Sequence, residues 1–227
     1  MLEKAEKHLT YFSVLDALRT AKTCALCALE NDCARRYIDS LLHERVNDPG
    51  VRGDLRRSIG YCPRHAHQLV SKGDGLGTAI LYRDQVELFL GFLQALQSAS
   101  HKALLRSDVS WWRGRDLCPA CREQMRDRQR YTALLVEWLP EGEMRSAFDA
   151  SPGLCVPHFF AALEAAKDTH VRSCLIESQR AKFGDLLHDL DEFCRKQDYR
   201  FRHEGLGKEA DSWLRAVRMM GGDEEVF

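Results

Sequence analysis

The feature that most restricts this chain is a pattern of cysteines and histidines that occurs twice. Cys24-Ala-Leu-Cys27 is followed by Cys62-Pro-Arg-His65, and Cys118-Pro-Ala-Cys121 by Cys155-Val-Pro-His158. Thirty-four residues separate CxxC from CxxH in the first half and thirty-three in the second, so an offset of 94 becomes 93 after a one-residue deletion. Other positions fall into the same register: Arg36-Tyr37 with Arg130-Tyr131, Leu41-Leu42 with Leu135-Val136, Leu55 with Phe148, Gly60 with Gly153, and Asp84 with Glu177. Self-similarity at a fixed period marks a repeated architecture, and duplication is the simplest account of it.

Each half reads as helix. Apolar residues recur at three and four, and the β-branched alternation of strands is missing. A helix is expected from about Cys24 to Val46, ending before Asn47-Asp48-Pro49, which supplies an N-cap and a proline at the first helical position. Gly60 and Gly153 stand where a left-handed residue would close the short helix that follows. A third helix opens at each CxxH, and a long fourth one covers about Leu76 to Ser98 and about Thr169 to Arg200. The expected fold is all-α, a tandem duplicated helical bundle with each half clipped by a Cys3His site. A capping helix occupies 1–23, the first repeat 24–98, a linker 99–117, the second repeat 118–200, and a capping helix with a fraying tail 201–227. The N-terminal cap carries a stripe of Leu2, Ala5, Leu9, Phe12, Leu15 and Leu18, and the C-terminal cap one of Trp213, Leu214 and Val217.

The chemistry follows from spacing. Residues at i and i+3 share one side of a helical turn, so Cys24 with Cys27, or Cys118 with Cys121, can face one point. Pro63 and Pro119 place Cys62 and Cys118 near N-caps, where free N–H groups and the helix dipole favour the thiolate a metal requires. Cys24, Cys27, Cys62, His65, Cys118, Cys121, Cys155 and His158 are therefore the expected ligands. Three thiolates and an imidazole saturate tetrahedral Zn2+, so two zinc ions are the first expectation, and two [4Fe-4S] clusters with one histidine ligand each are the alternative. Pairing each CxxC with the CxxH of its own half is the economical reading, although the motifs do not exclude exchange of ligands between repeats. Asp84 and Glu177 are candidates to accept the remaining N–H of the ligand histidines. Cys33, Cys174, Cys194 and His67 have no matching partner and read as packing or surface residues.

Thirty-three basic residues against 34 acidic ones give no field that favours nucleic acid or an anionic membrane. Arginines do cluster at 52–64 and 113–130. No apolar run approaches the roughly 20 residues needed to cross a bilayer, the N-terminus lacks a secretory signal, and patterned cysteines suit a reducing compartment, so a cytoplasmic protein is expected. HExxH, paired ExxH, P-loop, GxGxxG and GxSxG motifs are absent, which leaves the common hydrolase and nucleotide chemistries unsupported.

The run CALCALENDCARRYIDSLLHERVNDPGVR, with GYCPRH, GDGLGTAILYRD, the second CPAC and GLCVPH, resembles an uncharacterised bacterial family of about this length. The resemblance covers most of the chain and implies no activity. Three functions remain in view: a zinc-held scaffold that meets a protein partner, an iron–sulfur protein in electron transfer or redox sensing, and an enzyme with a pocket between the repeats.

Overall fold

In the computed structural model, residues 8–98, 112–140, 142–224 and 226–227 are described. Among them ten α-helices carry the regular structure and no strand occurs. In chain order these are α1 (Leu9–Thr20), α2 (Ala25–Ser40), α3 (Pro49–Ser58), α4 (Pro63–Ser71), α5 (Gly75–Ser98), α6 (Pro119–Trp138), α7 (Gly142–Ala150), α8 (Val156–Ala165), α9 (Thr169–Gln197) and α10 (Ser212–Gly221). A π-helical turn, Leu41–Arg45, extends α2, and two 3-10 turns precede α10.

The local punctuation acts as its chemistry requires. Asp48 caps α3 by accepting from the Val51 N–H at 2.9 Å, with Pro49 in the first turn. Cys62 and Cys155 are the N-caps of α4 and α8, each with proline in the first turn. Gly60 and Gly153 both take positive φ, 85° and 93°. At the first of these turns the left-handed bend begins one residue early, on Ile59 at φ 55°, a conformation that β-branched residues disfavour.

The chain divides into two compact units: residues 1–31 with 127–227, and residues 32–126. The boundaries fall inside α2 and α6. In the continuous unit, Ile38, Leu41, Leu55, Leu69 and Leu81 form a buried core that also takes in Cys118 and Ala120. Asp84 on α5 holds α3 by accepting from Arg52 Nε at 2.6 Å. In the discontinuous unit, Tyr11, Leu18, Leu26, Leu135, Met144, Phe148 and Leu175 are buried. There α1 packs on α7, and the Tyr11 hydroxyl donates to Glu143 at 3.1 Å.

Three expectations about the ends change. Leu2 and Ala5 lie outside the described residues, as does Trp111 with most of the 99–117 linker. The buried face of α1 is Tyr11, Val14, Leu15 and Leu18, while Leu9 and Phe12 are exposed. On α10 the buried residues are Ser212 and Met219, and Trp213, Leu214 and Val217 face outward. An ion pair from Arg215 to Asp189 at 3.0 Å holds this helix, so its apolar stripe is not its anchor. The described end of the tail is packed: Val226 is buried, and the Phe227 ring lies against His158 with centroids 5.1 Å apart.

Candidate metal centres

All eight predicted ligands assemble into two groups, and the ligand atoms of each lie within 4.8 Å of one another. One group is Cys24, Cys27, Cys155 and His158; the other is Cys62, His65, Cys118 and Cys121. The economical pairing is therefore replaced by exchange, each CxxC meeting the CxxH of the other half. Helix length explains why. From Ala25 to Arg45 the chain climbs about 30 Å at 1.5 Å per residue, and the ten residues of α3 cover only about 15 Å of any return. The first CxxH accordingly stays with the core around Ile38 and Leu41.

Both centres are built from paired helix starts. Cys24 and Cys118 immediately precede α2 and α6, Cys27 and Cys121 sit in the first turns, and Cys62 and Cys155 cap α4 and α8. Two N-termini thus direct unpaired N–H groups and positive dipole ends toward each group of sulfurs, which stabilises thiolate.

In the first centre the Cys27 and Cys155 sulfurs are 3.6 Å apart. His158 Nδ1 lies 3.4 Å from Cys24, 3.4 Å from Cys27 and 3.1 Å from Cys155. Its other nitrogen, Nε2, donates to Glu30 Oε1 at 2.6 Å. Glu30 is fully buried, and Arg128 holds both of its oxygens at 2.9 Å. The Arg128 guanidinium in turn stacks 4.1 Å from the centre of the Phe227 ring. A carboxylate on the second nitrogen fixes the ring's orientation and tautomer and makes Nδ1 a better donor to a metal.

In the second centre the Cys62 and Cys121 sulfurs are also 3.6 Å apart, and His65 Nδ1 lies 3.2, 3.6 and 3.4 Å from Cys62, Cys118 and Cys121. The surroundings differ. Gln124 occupies the place that matches Glu30 in register, and its Oε1 accepts from Arg64 at 2.9 Å. His65 Nε2 is buried and has no hydrogen-bond partner among the described residues.

Three sulfurs packed this closely cannot all be charged unless a cation lies among them, and their acidities divide accordingly. Hydrogen bonding from the Cys121 thiol holds Cys118 down at about 3 against its burial, and the same bond, followed by burial, pushes Cys121 far up. Burial pushes the Cys24 thiol up, but hydrogen bonds from Cys155, Cys27 and His158 outweigh it and leave Cys24 well below the usual value. Hydrogen bonding to Cys155 and Cys24, then burial, drives Cys27 up. Burial pulls His158 down, yet its bonds to Cys155, Cys24 and Glu30 raise it to about 11. A divalent cation would displace these protons.

The anticipated histidine partners are elsewhere. Asp84 is taken by Arg52 and Arg56, and Glu177 is exposed on the wall of a cavity of about 600 Å³. Glu30 went unnoticed in the sequence, although Glu30 and Gln124 each follow the second cysteine of a CxxC by three residues and so share its helical face. Cys33, Cys174, Cys194 and His67 enter neither group, as expected. The arginine clusters are largely engaged: Arg52 and Arg56 with Asp84, Arg122 with Asp54, Arg126 with Glu123, and Arg130 with Asp127.

Residues 5–226 match a family described as one of unknown function (DUF6062). The chain is also 27% identical over 203 residues to an "Uncharacterized 23.9 kDa protein in xynA 3'region" of Caldicellulosiruptor sp. (strain Rt8B.4), covering 88% of this chain and 96% of that protein. No solved structure matches.

Proposed function

Because the chain belongs to this family of unknown function, its centres must supply the functional reading, and we propose that it is a helical scaffold that binds two zinc ions. The observation that carries the reading is the size of each ligand group. A tetrahedral ion with Zn–S bonds of about 2.3 Å places its sulfurs about 3.7 Å apart, which the 3.6 Å separations in both centres match. A four-iron cluster puts each thiolate on a different corner of a cube and holds its ligands much farther apart. Four protein ligands leave no position for water, which favours a structural role over a catalytic one.

On this reading the halves arose by duplication, and the ions join CxxC and CxxH motifs far apart in the chain. The scaffold would serve a protein partner. The nine free cysteines support a reducing, cytoplasmic setting, and pairing of the arginines with neighbouring acids argues against a phosphate-tracking surface.

The test is elemental analysis with an absorption spectrum on protein purified without oxygen or added metal. Two zinc ions per chain and no visible colour are expected. Iron with sulfide and a broad visible band would replace this reading by the redox one, and protein free of any metal would remove both.

A further inference from the structure

The second centre forms part of the wall of a cavity of about 680 Å³, within the range that small-molecule sites occupy. Cys62, Cys118 and Cys121 lie on its surface. The ligands of the first centre line neither the cavity of about 600 Å³ beside Glu177 nor the one of about 680 Å³ beside Trp213.

The other walls are specific in kind. Tyr61, Tyr82 and Trp112 are aromatic lining residues, and Ile59, Pro63 and Leu117 add apolar wall. Arg113 and Arg115 are exposed lining residues. Arg115 is poised by its own surroundings: its guanidinium stacks 3.9 Å from the Trp112 ring centre and donates to the Trp112 carbonyl at 2.8 Å. That posture leaves other N–H groups of the fork to donate. The single carboxylate on the cavity, Asp116, is paired with Arg57 at 3.2 Å, so the acid does not neutralise the two arginines. The Tyr82 hydroxyl is buried and has no hydrogen-bond partner among the described residues, so Tyr82 meets the cavity through its ring.

We propose that this cavity binds a small organic anion with a flat apolar body, the body lying between Tyr61, Tyr82 and Trp112 and the anionic group on Arg113 and Arg115. A molecule seated there lies against the half-buried sulfurs of Cys62 and Cys121. The binding step itself does not depend on which metal the centre holds.

Naphthalene-2-sulfonate is a suitable probe, titrated calorimetrically into full-length protein whose metal content has been counted. One molecule is expected to bind per chain, with naphthalene-2-methanol and methanesulfonate each at least tenfold weaker because each lacks half of the recognition. Arg113→Ala with Arg115→Ala, and separately Trp112→Ala, should each weaken binding about tenfold or more. Trp213→Ala, at the exposed face of α10, should leave it unchanged. Absence of binding at about 1 mM probe in protein that holds two ions would overturn the cavity proposal and leave the metal reading standing. Equal affinity in the arginine and Trp112 variants would overturn it as well. Binding with the expected selectivity by protein that lacks metal would uphold the cavity while removing the metal reading.

Discussion

The first centre keeps Cys24, Cys27, Cys155 and His158 at 1% exposure or less, whereas the second leaves Cys62 and Cys121 half-buried beside a cavity. The ligand types and the use of His Nδ1 are the same. The surroundings differ, most plainly at one register-matched position: a glutamate at position 30 against a glutamine at position 124. Glu30 pairs with His158 on one side and Arg128 on the other, so its buried charge is balanced twice. An unpaired carboxylate there would be too costly to keep. The neutral Gln124 needs no such balance, and among the described residues the second histidine has no carboxylate partner. The same candidate ligand set thus sits once in a sealed, electrostatically braced group and once beside a cavity.

The most forceful way to break the comparison is to remove a ligand from each. Structural zinc contributes on the order of 10 kcal/mol to folding. Cys155→Ser and Cys62→Ser should each lose one ion, with the larger fall in helicity and melting temperature for Cys155→Ser, which also strips support from the buried Glu30 and Arg128. Metal counts and circular dichroism decide it, and equal losses would mean that sealing adds nothing.

Exchange kinetics test access directly. A small chelator added to metal-loaded protein should remove the two ions in two phases, the faster by at least tenfold, since hydrogen bonds to a ligand's free nitrogen alone change metal affinity by about 10–100-fold. The fast phase should disappear in Cys62→Ser. A single phase for both ions would contradict the distinction.

Swapping the distinguishing residue sharpens it. Glu30→Gln should weaken the first centre by about 10–100-fold, and Gln124→Glu should strengthen the second by up to about tenfold. Competition with a fluorescent zinc indicator measures both. Unchanged affinity in Glu30→Gln would show that orientation of His158 comes from packing alone.

The smallest contrast separates the register-matched acids. Asp84 is buried, and its hydrogen bond from Arg52 holds its carboxyl below the usual range despite burial. Its contribution is full above the unfolded value near pH 4 and is lost as the pH falls through the lowered folded value. Asp84→Asn should therefore cost about 1–2 kcal/mol at pH 7 and progressively less in acid. Glu177→Gln, at an exposed position, should stay within about 0.5 kcal/mol. Denaturant unfolding at several pH values is the measurement, and a pH-independent penalty for Asp84→Asn would assign the effect to packing.

Much of the helix order was legible because its signals are local. Asp48-Pro49 starts α3, proline after the first cysteine starts α4 and α6, and the ligand set follows from i, i+3 spacing. The pairing of motifs was not, since no periodicity states which helix starts meet; that depends on the climb of α2 set against the shortness of α3. Glu30 was readable in principle from its match to Gln124, but a charged residue three positions from a cysteine looks like solvated helix surface until its partners are seen. The outward face of α10 departs from its apolar pattern because ionic contacts through Arg215, absent from any hydrophobic count, hold the helix. The tail follows a related logic: its glycines and acids suggest fraying, while the packing of its end rests on one aromatic ring against His158.

If the two groups hold ions as proposed, exchange of ligands also sets an order of events in time. The second centre closes a span of 59 residues between Cys62 and Cys121, and the first a span of 128 between Cys27 and Cys155. The longer closure adds only about 0.7 kcal/mol of chain entropy. Timing separates them more than energy does, because a ribosome adding about 5–20 residues per second delivers His158 a few seconds after Cys121. The continuous unit can complete its centre while the first CxxC still waits for its partners, so a nascent chain carries Cys24 and Cys27 as unclosed thiols until nearly three quarters of the sequence has been made.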